Sequence, residues 1–395
     1  RRVEADLGEK APRTEKGGVA YGAEVLFGTS DPVLRLYASI SKDVGELARN
    51  IPALKRGVDV PLNPRFRPIV ASGRTGVRSK DGDDDPETGA QTQNLPRRQG
   101  VRECFVARPG KAFVATDLSA AELVGLAQVC LDLFGWSCLA DVINSGKDPH
   151  KVTAANLTST TYEVFVEAYA QGEKWAQDAR QSSKIGNFGF PGGLSAPVFV
   201  SYVRDQTRRD DGTYPDWVES FDEEKSRWLR DVWLATYPEV GLLFQEAQRQ
   251  IRAGKGTASK VQHRSGRVRG GLRYTEWCNT GFQGIVADAS KLWMWNVQRE
   301  CWNDPSSPLY GSRMVNFVHD ECMTEADEDK VHEVAERQEA LGIAAMGVFC
   351  PNVKAKCEST ATYRWYKGGD PVRVEGRLVV GKPVKEEGGK TRWVQ

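Results

Sequence analysis

The sequence predicts an α+β fold, with an antiparallel sheet and helices packed against it. Two stretches carry most of that prediction. "KAFVATDLS", residues 111–119, is a short apolar run that ends in Asp117 and leads into a helical pattern through Glu122, Leu123, Leu126 and Val129. In the run around "NFVHDECM", Met314, Asn316 and Val318 alternate with Val315, Phe317 and His319, which is the period of a strand, and Cys322 to Glu325 can return as its partner. Between the two, apolar residues recur mostly at helical spacing.

The first sixty residues read as a polar lead-in followed by a helix, because Val33, Leu34, Leu36, Ile40, Val44 and Leu47 recur at helical spacing after Ser30-Asp31-Pro32. Residues 55–80 are basic and punctuated by Pro and Gly, and "DGDDDPETGA" then forms an acidic loop. Residues 162–202 read as helices broken at "GFPGG". The Trp-rich segment from Trp217 to Tyr237 reads as one long amphipathic helix ended near Pro238. Residues 248–273 contain no acidic side chain, so they need an anionic neighbour, a phosphate backbone among the choices, or free solvent. A helix over residues 281–301 follows, then the strand pair, an amphipathic helix from Asp329 to Met346, and a loosely held tail after Gly381. No internal repeat is present.

At 395 residues the chain is long enough for one large core or two to three subdomains. Its 54 basic residues against 53 acidic ones give a net charge of +1, so any electrostatic recognition must be local. Eight scattered cysteines with no C-x-x-C pair exclude a disulfide scaffold or a structural zinc site and point to a reducing, cytoplasmic compartment. No apolar run approaches the ~20 residues that span a bilayer, so no membrane partner is expected.

Asp320 and Glu321 fall at the expected hairpin tip, where apolar flanks leave two readings: plain solvent exposure, or a bound cation. Asp117 closes a second strand, where it is either a helix N-cap or a metal ligand. Two hard cations about 3.5–4 Å apart activate an attacking hydroxyl and stabilise a departing oxygen in phosphoryl transfer, and two aspartates suffice to bridge them. In "ARQSSKIGNFGFPGG", Arg180, Lys184 and Phe188 advance only about 40° per step and cover roughly 12 Å of one helical face, the length of a triphosphate. They read either as a phosphate grip or as a solvated helix face. Gly189, Pro191, Gly192 and Gly193 then stop the helix. His150 is either a phosphate donor or a satisfied side chain.

In this order the elements resemble the motifs of the family A DNA polymerases, the bacterial DNA polymerase I class that phages also encode. "DLSAAEL" resembles the first motif, D-Y-S-x-x-E-L; "RQSSKIGNFG" resembles the second, R-x-x-x-K-x-x-x-F-G; "VHDE" is similar to the third. "TEKGGVAYGAEVL" resembles the end of a thumb, "SGRTGVR" and "TQNLPR" resemble primer-side segments, and "NTGFQGIVAD" resembles a Gln-bearing palm helix. The likeness runs over residues 14–366.

The resemblance implies an α+β right hand. A thumb remnant and lead-in would occupy 1–66, a palm 67–122 and 281–395 with the C-terminal tail, and helical fingers 123–280, the thumb being truncated. It implies DNA-directed DNA synthesis, adding dNTPs to a primer 3′-hydroxyl on a DNA template by two-metal phosphoryl transfer, without an exonuclease in this chain. Asp117 and Asp320 would bind two Mg²⁺ ions, with Mn²⁺ as a substitute, the Leu118 carbonyl as a further ligand, and Glu321 supporting the cluster. Glu122 would crowd the sugar 2′ position. His150, Arg180 and Lys184 would hold the triphosphate, Lys184 would protonate the leaving pyrophosphate, and Phe188 would stack near the sugar and discriminate against nucleotides lacking a 3′-hydroxyl. Arg74, Gln93, Asn94, Gln283 and His319 would touch the primer-template. Further partners implied are a separate exonuclease, a missing N-terminal region or a processivity factor, and a truncated thumb implies weak DNA binding and distributive extension.

Three positions depart from the family pattern: Leu118 and Val124 replace a Tyr and an Arg, and Gly192 replaces the Tyr that stacks at the template position. The expectation is that Phe190 takes that place or that fidelity falls. A single-subunit RNA polymerase is the rival enzyme, disfavoured by Glu122 and Phe188. A non-catalytic DNA-binding scaffold is the other rival, disfavoured by carboxylates that would face a polyanion.

Overall fold

The computed structural model describes residues 2–8, 18, 19, 21, 22, 25, 26, 29, 31–49, 51–77, 91–96, 100–209, 213–366, 369–385 and 391–395. The acidic stretch 81–90 and most of "TEKGGVAYGAEVL" lie outside the described residues.

In chain order the first elements are α1 (Arg2–Leu7), α2 (Pro32–Arg49), α3 (Ile51–Arg56), the short pair β1 (Phe66–Arg67) and β2 (Gly76–Val77), then β3 (Lys111–Leu118). Helices follow: α4 (Ala121–Phe134), α5 (Cys138–Asn144), α6 (Pro149–Leu157), α7 (Tyr162–Ala170), α8 (Lys174–Gly189), α9 (Ala196–Thr207), α10 (Asp216–Glu219), α11 (Glu223–Thr236) and α12 (Pro238–Ala253). The chain continues with β4 (Ala258–Val261), β5 (Val268–Leu272), α13 (Tyr274–Asn303), β6 (Arg313–Val318), β7 (Glu321–Asp327), α14 (Val331–Phe349) and β8 (Cys357–Thr362). Two hairpins end it, β9 (Val372–Val374) with β10 (Arg377–Val379), and β11 (Lys382–Lys385) with β12 (Thr391–Val394).

The chain divides into two compact units, Arg1–Pro64 with Asp84–Ala90 and Ser195–Trp228, and Arg65–Asp83 with Gln91–Leu194 and Leu229–Gln395. In the first, Leu34 and Ala38 turn one face of α2 onto Val3 and Leu26; the helix forms as the spacing predicts, but Val33, Leu36, Ile40 and Val44 of that spacing are exposed. The long helix expected from Trp217 to Tyr237 is instead broken: α10 ends at Glu219, Phe221 turns inward against Phe199, and α11 starts at Glu223. Pro238 opens α12 at its first turn, where a missing N–H costs nothing, rather than merely ending a helix.

The second unit is built on a four-stranded antiparallel sheet in the order β6-β7-β3-β8. β3 is an interior strand between β7 and β8 with buried residues on both of its faces, so its sequence is an apolar run rather than an alternation. Helices α13 and α14 pack on each other, and α14 lies against β3 and β8. Beneath the sheet Gln338 of α14 donates to Thr116 Oγ1 (2.9 Å) and to the Cys322 carbonyl (2.8 Å) and accepts from Thr324 Oγ1 (2.9 Å). Helix α4 crosses α13 at Gly125, where a Cβ would stand 2.9 Å from the Phe282 carbonyl oxygen, so only glycine permits this approach.

The basic run 248–273 becomes the end of α12 and the β4–β5 hairpin, and its anionic neighbours belong to the protein itself. His263 and Arg264 meet Asp132 at 3.1 and 3.0 Å, Arg267 meets Asp288 at 3.4 Å, and Arg269 and Arg273 meet Glu276. The tail after Gly381 is not loose in the described residues: the Gly381 amide donates to the Ala361 carbonyl (2.8 Å), and Trp393 of β12 packs edge-on against Tyr366. All eight cysteines are free thiols, and among the described residues no helix is long and apolar enough to cross a membrane.

Candidate active site

Strand β3 ends where β7 begins. Asp117 lies directly opposite Glu321 in the ladder, and the Leu118 amide donates to the Asp320 carbonyl at 3.1 Å, so two residues about two hundred positions apart become neighbours. The hairpin is tight: Val318 pairs with Glu321 and only His319 and Asp320 make the turn. His319 takes φ +60°, a left-handed conformation that a residue with a Cβ adopts at a cost. Ala120, at the turn from β3 into α4, does the same with φ +51°.

Two expectations are corrected here. Asp117 is not a helix N-cap, because Ala120 occupies that position and offers no side-chain bond. Glu321 is not at the hairpin tip. It is the first residue of β7, only 4 % exposed, and its carboxylate accepts from the Trp365 indole N–H at 3.2 Å. Trp365 is itself clamped between Phe105, edge-on at 5.6 Å, and the guanidinium of Arg102, 4.5 Å above the ring.

Glu122, in the first turn of α4, is bound by the Arg74 guanidinium. Burial raises the Glu122 pKa above the ordinary value; Arg74 opposes that rise and the Asp320 carboxylate adds to it. Arg74 therefore meets Glu122 rather than solvent. Gln93 is buried, its amide donating to Thr75 Oγ1 (2.8 Å) and to the Phe317 carbonyl of β6 (2.9 Å), whereas Asn94 beside it is exposed and Gln283 on α13 is half-buried.

Helix α8 carries Arg180, Lys184 and Phe188 as the spacing predicts, and it touches α4. It ends at Gly189 in a single tighter turn, Phe190–Gly192, closed by Gly193 at φ +74°. Arg180 donates to Asp148 Oδ2 at 3.1 Å, and Asp148 caps α6 through the His150 amide at 2.8 Å. His150 packs its ring against Phe188 at 5.5 Å and its Nδ1 lies 2.8 Å from Asn187 Nδ2. Burial lowers the His150 pKa to about 4; Asp148 works against that, and the Arg180 and Lys184 cations work with it. Asp148 is held below its ordinary value: burial pushes the other way, and His150, Arg180 and the cap bond outweigh it. Phe190 cannot serve as a template-stacking ring, because it is fully buried against Trp233 at 5.5 Å.

Among the described residues no three His, Cys, Asp or Glu side chains gather into a metal cage. The donors at the strand ends are nonetheless of the right kind: two carboxylates and backbone carbonyls are hard oxygen ligands, and Mg²⁺ commonly takes one or two protein carboxylates and fills its octahedron with water and substrate phosphates.

A family model described as DNA polymerase family A matches residues 88–367, which is most of the chain. The chain belongs to DNA polymerase family A. It is 25 % identical to a DNA polymerase I of Aquifex aeolicus over 367 residues, covering 90 % of this chain and 55 % of that protein. It is 26 % identical to a DNA polymerase I of Pseudomonas aeruginosa over 341 residues, covering 82 % of this chain and 32 % of that one. The chain thus spans about half, or less, of the length of these family A relatives. A solved structure, the POL domain of Pol1 from M. smegmatis in complex with DNA primer-template and dNTP, superposes with a TM-score of 0.64 at 21 % identity, covering 92 % of this chain and 60 % of that one. That likeness establishes the right-hand polymerase fold. The two hairpins after Thr362 lie largely beyond the matched family region.

Sequence reasoning missed Trp365, Asp148, Asn187 and Trp233. Asn187 stands in plain view in "IGNFG", but its partners come from α6 and α11, and nothing local announces them.

Proposed function

We propose that this family A chain adds deoxynucleotides to the 3′-hydroxyl of a primer on a DNA template. The observation that carries the reading is the meeting of Asp117 and Asp320 at one end of the antiparallel sheet, fixed by the bond between the Leu118 amide and the Asp320 carbonyl. The substrates are dNTPs and a primer-template, and the palm would be residues 67–122 and 281–395, with fingers over 123–280.

Asp117 and Asp320 would hold two Mg²⁺ ions, or Mn²⁺ in their place, with the Leu118 carbonyl as a further ligand. Such a pair of ions lowers the pKa of an attacking hydroxyl and stabilises the oxygen that leaves. The protein's own groups do the rest. Glu321, tethered by Trp365, keeps the start of β7 in register, so the hairpin presents Asp320 at a fixed position. Glu122, held by Arg74, would crowd the 2′ position of the sugar. Arg180, Lys184 and His150 would be the donors that α8 and α6 offer a triphosphate, and Lys184, which is exposed, would give a proton to departing pyrophosphate. Phe188, packed on His150, offers a ring to the sugar. Asn94, Gln283 and His319 are the accessible candidates for contact with the primer-template.

Primer extension with each dNTP and rNTP in Mg²⁺ tests the reading. Extension should require the templated dNTP. Preferential use of rNTPs would assign a different polymerase, and binding without extension would assign a scaffold.

A further inference from the structure

His150 is a neutral ring, and a neutral imidazole is a donor at one nitrogen and an acceptor at the other. Which nitrogen carries the proton decides whether α6 offers a phosphate oxygen a hydrogen bond or a repulsive lone pair. The answer is written in two contacts. The Trp233 indole N–H, which can only donate, points at Asn187 Oδ1 at 2.7 Å. With its oxygen so engaged, the Asn187 amide must turn its NH₂ toward His150, whose Nδ1 is 2.8 Å away. An NH₂ group can only donate, so Nδ1 must accept, and the ring proton is left on Nε2.

The relay is buried and held by hydrogen bonds. Trp233 and Thr153 are fully buried, Asn187 is 1 % exposed, and the Tyr237 hydroxyl and Thr153 Oγ1 both donate to the Pro149 carbonyl beneath the ring. Ser183 Oγ donates to the His150 carbonyl at 2.6 Å and locks α6 against α8. The charged groups facing the ring are Asp148 on its own helix and Arg180 and Lys184 on α8; burial and the two cations outweigh the Asp148 carboxylate and keep the ring neutral at pH 7.

We propose that Asn187 and Trp233 are positioning residues that fix His150 as the Nε2–H tautomer, so that α6 presents a donor to the phosphates of the incoming nucleotide. The second half rests on the reading of His150 as a triphosphate ligand; the first does not. An acceptor in that place would repel a phosphate oxygen, so the indole, which touches no substrate, sets the sign of a contact two residues away.

The chain has four histidines, so a long-range ¹H–¹⁵N correlation spectrum of the ¹⁵N-histidine-labelled protein is simple, and His150→Gln identifies the signal that is lost. At pH 7 the wild-type His150 signal should show the neutral Nε2–H pattern; an Nδ1–H pattern or an imidazolium overturns the proposal without any variant. Asn187→Asp replaces the donor by an acceptor and should move the proton to Nδ1, and Trp233→Phe, which frees the amide to flip, should give a mixture. A tautomer that stays put in both variants overturns the relay. With Asn187→Asp the KM for dNTP should rise about tenfold or more, the weight of one bond to a charged group, with kcat changed less. A switched tautomer with an unmoved KM would leave the relay standing and overturn the phosphate-ligand half alone.

Discussion

Burial does two different things to the two titratable residues that matter most here. His150 loses its charge, so its folded pKa of about 4 lies below the ordinary imidazole value of ~6.5. The unfolded chain binds the extra proton between those values. Stability is therefore complete above about pH 6.5 and falls as pH drops toward 4, by up to about 3 kcal/mol. Urea midpoints at pH 7 and 5 should diverge in the wild type and diverge less in His150→Gln; equal slopes would contradict the assignment. Glu122 is pushed the other way, and Arg74 is what restrains the rise. Arg74→Ala should let the Glu122 pKa climb further, so the dNTP-over-rNTP preference should drop, and drop most at the acid end of a pH 6–8.5 series. A preference that is unchanged at every pH would remove Glu122 from that role.

At the scale of elements, the sheet is held by side chains that the strand pattern does not reveal. Gln338 ties β3 and β7 to α14 through three buried bonds, and Gln338→Leu should cost about 2–4 kcal/mol because Thr324 Oγ1 and the Cys322 carbonyl lose a partner inside the core. A loss below about 0.5 kcal/mol in chemical denaturation, the range of an ordinary surface change, would show the network to be dispensable. What was legible in the sequence was local. The apolar run 111–118, the helix after Ala120, the 180-184-188 stripe of α8 and the hairpin at His319 all announce themselves through period and punctuation. What was not legible depends on partners far along the chain. The bulge in β6 after Met314 buries Asn316, Phe317 and Val318 in succession and breaks the alternation. Phe221 bends the Trp-rich segment because it packs on Phe199. The tail looks like solvent-exposed polymer in composition, yet Trp393 and Gly381 find their contacts on Tyr366 and Ala361.

For the whole molecule, near-neutral charge concealed a pairing of opposites. The acid-free run 248–273 asked for an anionic neighbour or free solvent, and Arg264, Arg267, Arg269 and Arg273 find acidic neighbours in Asp132, Asp288 and Glu276 on α4 and α13. The candidate site residues could be named because family A motifs mark them in the sequence, whereas Trp365, which tethers Glu321, and Trp233, which holds Asn187, were not legible, since an indole in a sequence looks like core. The most direct measurement is single-turnover primer extension by Asp117→Asn and Asp320→Asn beside wild type, with primer-template affinity measured on the same preparations. Each variant should bind DNA within a few-fold of wild type and extend the primer on the order of a thousandfold more slowly, comparable to losing a principal electrostatic group in other active sites. Extension at the wild-type rate by either variant would contradict the shared-carboxylate site.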